Sequence, residues 1–289
     1  MSGSAPDAPQ FCLDADMSEV EILPLAAGEV AFFSARCPGK SSSNQDAVAL
    51  LPFGPDAAVL VVADGAGGTR SGERASELAV RALARALAEA RREGFRLRTA
   101  ILNGIERANE AVCALGVGAA TTLAAAEIQA GRVRPYHVGD SLILIVGQRG
   151  KVKLETVSHS PVGFAVEAGV LDAGDAMHHQ DRHLVSNVLG VPDMRVEVGS
   201  ERPLSSRDTL LLASDGLSDN LHVHEIADHV RRGPLRDAAE ALAATARRRM
   251  YAPRDGEPSK PDDLTLLAFR LRKPLRSARG ERSSPAPRW

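Results

Sequence analysis

Ala57-Ala58-Val59-Leu60-Val61-Val62-Ala63-Asp64-Gly65-Ala66-Gly67-Gly68 passes from seven unbroken apolar residues into an acidic, glycine-rich turn. A short apolar run closed by turn residues reads as a buried strand. A carboxylate at the exit of such a strand is held by rigid backbone. The glycines beside it let a ligand approach the main chain closely. Thr69-Arg70-Ser71-Gly72 then opens a long helical pattern. Over residues 72–93 the apolar positions Ala75, Leu78, Ala79, Ala82, Leu83, Ala86, Leu87 and Ala90 return at helical spacing, with Arg81, Arg85, Glu89 and Arg92 outside the stripe.

Working outward, the same two textures alternate along the chain. Strand-like runs are expected at Val30–Cys37, Ala47–Phe53, Ala119–Ile128, Val133–Val138, Leu142–Val146, Lys151–Val157, Met194–Val198, Thr209–Ala213 and Leu264–Leu271. Gly131, Gly147 and Gly150 fall at hairpin spacing between several of them, which argues for largely antiparallel pairing. Further helices are expected over 97–115, striped by Ile101, Ile105, Ala108 and Val112, and over 235–250, through Ala238, Leu242 and Ala246. Helix pairs set against antiparallel strands imply an α+β fold, with two sheets face to face and helices outside.

Composition narrows the function classes. The chain has 289 residues, 35 Lys and Arg against 37 Asp and Glu, and a net charge of −2. That balance disfavours a nucleic-acid binder, and the seven-residue run Ala57–Ala63 is far too short to span a bilayer. Met1 to Gln10 lacks a basic start and an apolar stretch, so a cytoplasmic location is expected. Cys12, Cys37 and Cys113 are too scattered for a disulfide framework or a zinc site. Residues 1–18 read as a disordered leader, 19–271 as one domain, and 272–289 as a basic disordered tail.

Carboxylates recur at strand ends. Leu210-Leu211-Leu212-Ala213-Ser214-Asp215-Gly216 repeats the strand-to-Asp-Gly pattern, and Lys260-Pro261-Asp262-Asp263-Leu264-Thr265 precedes the last strand. Asn44-Gln45-Asp46 precedes an earlier strand, and Gly139-Asp140-Ser141 joins two more. Carboxylates that converge repel one another and need cations between them. Hard ions such as Mg²⁺ and Mn²⁺ take carboxylate and carbonyl oxygens, which Asp64 and the Gly65 carbonyl could supply. A pair of such ions about 3.5–4 Å apart activates water against phosphate esters.

Taken in order, Asn44-Gln45-Asp46, Asp64-Gly65-Ala66-Gly67-Gly68, Gly139-Asp140-Ser141, Ser214-Asp215-Gly216-Leu217-Ser218-Asp219 and Asp262-Asp263-Leu264-Thr265 resemble the metal-dependent protein phosphatase family, the type 2C-like Ser/Thr phosphatases. Ser158-His159-Ser160, Val166-Glu167-Ala168-Gly169 and Val188-Leu189-Gly190 resemble its flap, placed at about 158–190. The resemblance covers roughly residues 28–271. It implies a four-layer α-β-β-α sandwich with two Mn²⁺ or Mg²⁺ ions at one end, and a third, weaker ion. Asp64 would bridge the ions, Gly65 would give its carbonyl to one, and Asp215 and Asp262 would complete the other. Asp140 would help hold the third ion with Asp215, and Asp46 would orient water at the ions. The activity implied is direct hydrolysis of phosphoserine and phosphothreonine, with a phosphorylated protein as substrate and a Ser/Thr kinase or its targets as counterpart.

The chain departs from the family pattern at three places. Gln45 stands where Glu is usual, Ala66 where some members have His, and Ser41 where a phosphate-binding Arg is expected. Lys40, next to Ser41, is the candidate replacement charge, without the bidentate fork of Arg. Asp263 stands where Asn is usual, and its extra charge would either tighten metal binding or be solvated. Gln45 and the missing Arg keep open a second class, a phosphatase-shaped binding or regulatory module with little turnover. His178, His179, His183, His222 and His224 are read as surface or flap packing, because neighbouring and i,i+2 histidines do not share a helix face.

Overall fold

The computed structural model describes residues 8–66, 70–116 and 118–272. In chain order the first elements are β1 (Gln10–Leu13), β2 (Glu21–Leu25), β3 (Gly28–Ala35), β4 (Asp46–Pro52), β5 (Ala57–Ala66), α1 (Arg70–Glu93) and α2 (Leu97–Cys113). The middle holds β6 (Ala120–Thr121), β7 (Leu123–Gln129), β8 (Arg132–Val138), β9 (Leu142–Val146), β10 (Val152–Glu155), α3 (Pro161–Glu167) and α4 (Ala173–Ala176). The last are β11 (Glu197–Val198), β12 (Arg202–Pro203), β13 (Thr209–Ala213), α5 (Asp215–Ser218), α6 (Val223–Val230), α7 (Leu235–Tyr251) and β14 (Leu264–Leu271).

One sheet runs β1-β4-β5-β7-β8-β11, with β6 beside β5 and β12 beside β8, and the other runs β10-β9-β13-β14-β3-β2. All the pairings are antiparallel. The central strands are buried on both faces, and the two-residue period decides where each side chain goes. On β5, Val59, Val61 and Ala63 pack against Leu83, Leu87, Ile101 and Ile105 of α1 and α2. Ala58, Leu60 and Val62 pack the other way, against Leu210, Leu212, Leu267 and Phe269 of the second sheet. On that sheet Leu211 and Ala213 meet Ile226, Leu242 and Ala246 of α6 and α7. The result is the α-β-β-α order expected. Each fully buried Val or Leu contributes roughly 1.5–3 kcal/mol of transfer free energy.

The alternation also places the acidic rim. Asp64 continues the set of Ala58, Leu60 and Val62, and so opens toward the space between the sheets. Asp46 lies directly opposite it in the β4–β5 register. The same period carries Thr265 of the last strand, and Asp263 just before it, to that side.

Three expectations need correction. The leader assigned to residues 1–18 is shorter, because β1 pairs with β4 from Gln10↔Leu50 to Leu13↔Ala47. Behind it, the Asp14 carboxylate and the Ala15 carbonyl accept from the Asn44 backbone and side-chain N–H groups at 2.9 and 2.8 Å. Glu21–Leu25 is also a strand, and its Pro24 is tolerated because β2 is an edge. The run Ala119–Ile128 divides into β6 and β7, since Thr122 leaves the ladder to bond near Asp64. The tail from 273 onward, and Gly67-Gly68 of the opening stretch, lie outside the described residues. Among the described residues no helix is long and apolar enough to cross a membrane.

Candidate active site

Each functional side chain is fixed by the element that ends beside it. Asp64 leaves β5 with its carbonyl accepting from the Thr122 N–H at 2.8 Å and the Thr121 hydroxyl at 2.9 Å. Gly65 follows in close contact, and a Cβ there would come within 2.2 Å of the Gly72 carbonyl oxygen. Its N–H donates to the Gln45 carbonyl at 3.1 Å, which locks the turn to the loop that leads into β4. Asp140 follows Gly139, whose φ of +108° belongs to glycine. Asp215 opens α5 directly after β13, and Ser214 joins three strands at that point. Its hydroxyl donates to Asp46 Oδ2 at 2.8 Å and accepts from the Thr265 N–H at 3.0 Å.

The carboxylates hold one another's protons more tightly. Burial pushes Asp64 well above the usual carboxylate range, and the charges of Asp46, Asp215, Asp262 and Asp140 add to it. Burial raises Asp46 to about 8, partly offset by the hydroxyls of Thr265 and Ser214. Asp140 rises to about 7, through burial and then Asp215 and Asp219. Asp262 rises to about 6, through burial and then Asp215. Among the described residues, Asp46 Oδ1 and Asp215 Oδ1 are buried with no hydrogen-bond partner. A buried, unpartnered carboxylate oxygen is costly. Mutually raised, all-oxygen and under-satisfied, this donor set fits hard divalent cations.

Asp46, Asp64, Asp140, Asp215 and Asp262 are thus brought together as the sequence suggests. Two of the expected residues are engaged within the protein. The Lys40 ammonium is 2.5 Å from Asp263 Oδ2, so it is paired rather than free. Asp263 is neither solvated nor turned to a cation site. It is 3% exposed and also accepts the N–H groups of Cys37 and Gln45 at 2.8 Å each. The extra carboxylate and the lysine form one closed pair that shapes the loop between β3 and β4.

Sequence reasoning missed Lys260, Asp219 and Asn220. The Lys260 ammonium lies 2.5 Å from Asp215 and 2.8 Å from Asp219. Asp219 sits four residues after Asp215, one helical turn on, which spacing alone could have flagged. Beside them a cavity of about 450 Å³ runs from Asp140, Asp215 and Asp219 to Val162, Met177 and Arg182 of the flap. Arg182 is anchored there by donating to the carbonyls of Met177 and Ser259.

The flap is pinned by a histidine. His159 exchanges hydrogen bonds with Gly139, its N–H donating to the Gly139 carbonyl at 2.8 Å and its Nδ1 accepting the Gly139 N–H at 3.1 Å. Nδ1 also accepts from the Asn187 amide at 2.9 Å, so the ring proton belongs on Nε2, facing Glu197 at 3.1 Å. His137, His159 and Glu197 crowd together in the manner of ligands. A proton on Nε2 stands where a metal would need a lone pair, so the cluster is a strut. Among the other histidines, His222 and His224 stack at 5.3 Å, although i,i+2 spacing disfavours contact, because His222 is the N-cap residue outside the α6 helix.

Known proteins resemble this chain in sequence and fold. Residues 35–250 match the family model described as protein phosphatase 2C. The protein phosphatase PhpP of Streptococcus pneumoniae is 32% identical over 216 residues, covering 72% of this chain and 87% of the relative. The solved serine/threonine phosphatase of S. agalactiae superposes with a TM-score of 0.73 at 29% identity, over 85% of this chain and 100% of that one. A structure of the PstP catalytic domain in complex with two manganese ions gives a TM-score of 0.67 at 26% identity, over 83% of this chain and 96% of that one.

Proposed function

Since this chain belongs to the protein phosphatase 2C family, we propose that its acidic rim is the reaction centre and assign its residues as follows. The protein is a metal-dependent serine/threonine phosphatase using Mn²⁺ or Mg²⁺. Asp64, the Gly65 carbonyl, Asp215 and Asp262 hold the ions, and Asp140 with Asp215 and Asp219 offers a further, weaker position. Bound there, the ions acidify water and screen the phosphoryl oxygens. The remaining work belongs to the chain. Asp46, held by Ser214, carries an oxygen free to accept a proton or orient water. The strand ends keep the carboxylates at fixed separations, so little reorganisation accompanies the reaction. The cavity toward the flap receives the phosphorylated segment, with Val162 and Met177 beside its apolar side chains and Arg182 near its charge.

A phosphorylated protein is the substrate class, and a Ser/Thr kinase or its targets, in the cytoplasm, is the counterpart we assign. We assign the catalytic domain to residues 19–271, with the strand β1 packed onto it. One observation carries the site assignment: carboxylates at five strand ends converge while, among the described residues, Asp46 Oδ1 and Asp215 Oδ1 stay unpartnered. Hydrolysis of a phosphothreonine peptide with Mn²⁺, with chelator, and by Asp215→Asn tests it. Turnover that needs the metal and is lost in the variant is expected. A folded chain inactive with every divalent ion would favour a binding module instead.

A further inference from the structure

The Lys260 ammonium lies inside the acidic rim, 2.5 Å from Asp215 Oδ2, 2.8 Å from Asp219 Oδ2 and 3.5 Å from Asp262 Oδ2. Its backbone is fastened there by Asn220, which is fully buried. Asn220 Oδ1 accepts the Lys260 N–H at 2.9 Å, and Asn220 Nδ2 donates to the Lys260 carbonyl at 2.8 Å. The same amide donates to the Gly216 carbonyl at 2.9 Å. Lys260 is therefore tied to the helix that begins with Asp215, and its ammonium cannot drift away with the loop. Meanwhile Asp215 Oδ1, which Lys260 does not bond, is buried and unpartnered among the described residues.

An ammonium and a divalent ion compete for the same carboxylate oxygens, and they repel each other at close range. A lysine carries its charge on four flexible carbons, so the ammonium can leave while the backbone stays fixed. Resting on the metal-site assignment above, we propose that Lys260 is a resident counter-cation of the metal centre. It offsets part of the charge of Asp215, Asp219 and Asp262 in the metal-free protein and is displaced when the Asp215–Asp262 position takes its ion. Lys40 has no such role, because Asp263 is satisfied by protein donors on both oxygens. The chain thus sets its own threshold for metal, weaker than the bare carboxylates would give.

The test is a calorimetric Mn²⁺ titration of the full chain beside Lys260→Met and Asp64→Asn, with thermal melts in chelator and in saturating Mn²⁺. Lys260→Met keeps the stem and removes the charge. We expect it to bind one of its ions about tenfold more tightly than the wild type. Its metal-free form should melt lower than wild type, and the gap should close in Mn²⁺. Equal or weaker affinity in Lys260→Met would overturn the proposal. Absence of Mn²⁺ binding in the wild type, or full binding by Asp64→Asn, would instead overturn the metal-site assignment on which it rests. If Lys260→Met does not fold, Lys260→Gln is titrated in its place against the same criteria.

Discussion

Lys40 ends 2.5 Å from Asp263 and Lys260 ends 2.5 Å from Asp215, so by distance the two pairs match. Their surroundings separate them. Asp263 is almost wholly buried, and both its oxygens are met by protein donors. Around Asp215 stand Asp219, Asp262 and Asp140, and among the described residues one of its own oxygens has no partner. The first cluster is charge-balanced and closed, and holds a loop in shape. The second is too acidic for its single lysine, and it is open to further cations. Satisfaction of the acceptors, more than ion-pair distance, separates structure from function at this rim.

That contrast can be broken most forcefully at Asp64. Asp64→Asn should lower phosphopeptide turnover by about 10³-fold or more. It should cost no stability in the metal-free protein, because it removes a buried carboxyl whose ionisation its neighbours oppose. A large drop in melting temperature would mean that the open cluster is structural after all.

Asp263→Ala should do the reverse. Losing the acceptor of two backbone N–H groups and of Lys40 should cost about 2–3 kcal/mol in urea unfolding. Its Mn²⁺ affinity should stay within a few-fold of wild type. A variant as stable as the wild type would erase the distinction between the clusters.

Acidity offers a subtler check. Asp46, Asp140 and Asp262 titrate near 8, 7 and 6 in the folded, metal-free chain, above their usual value of 3.8. The folded state therefore binds protons more tightly than the unfolded one. Their stabilising contribution is full below about pH 4 and is lost as pH rises through 6 to 8. Melting temperature in chelator should fall across that window, and Mn²⁺ should flatten the trend. A metal-free melting temperature that rises from pH 5 to 8 would contradict the raised values. The smallest effect is expected at Lys40→Met, whose KM for a phosphopeptide should change by less than about threefold. A tenfold rise would return Lys40 to the phosphate.

The sequence shows the rim more clearly than its neutralisation. The unbroken apolar run Ala57–Ala63 and the repeated Asp-Gly exits are local signals, and they led to the facing sheets and to the five converging carboxylates. The stripes of α1, α2 and α7 were legible for the same reason. β1 and β2 were not, since four or five residues of mixed character become strands only when β4 and β3 supply partners. Nor could the string assign the two lysines. Lys40 and Lys260 lie beside Asp-rich segments more than 200 residues apart in one case and 45 in the other. Only the folded register decides that Asp263 turns to the first and Asp215 to the second.

The most direct test counts ions. Mn²⁺ bound per chain is measured by calorimetry for the wild type and for Asp64→Asn. Two ions per wild-type chain, with both lost or greatly weakened in Asp64→Asn, is the predicted result. The same stoichiometry and affinity in both proteins would contradict a metal centre built on Asp64.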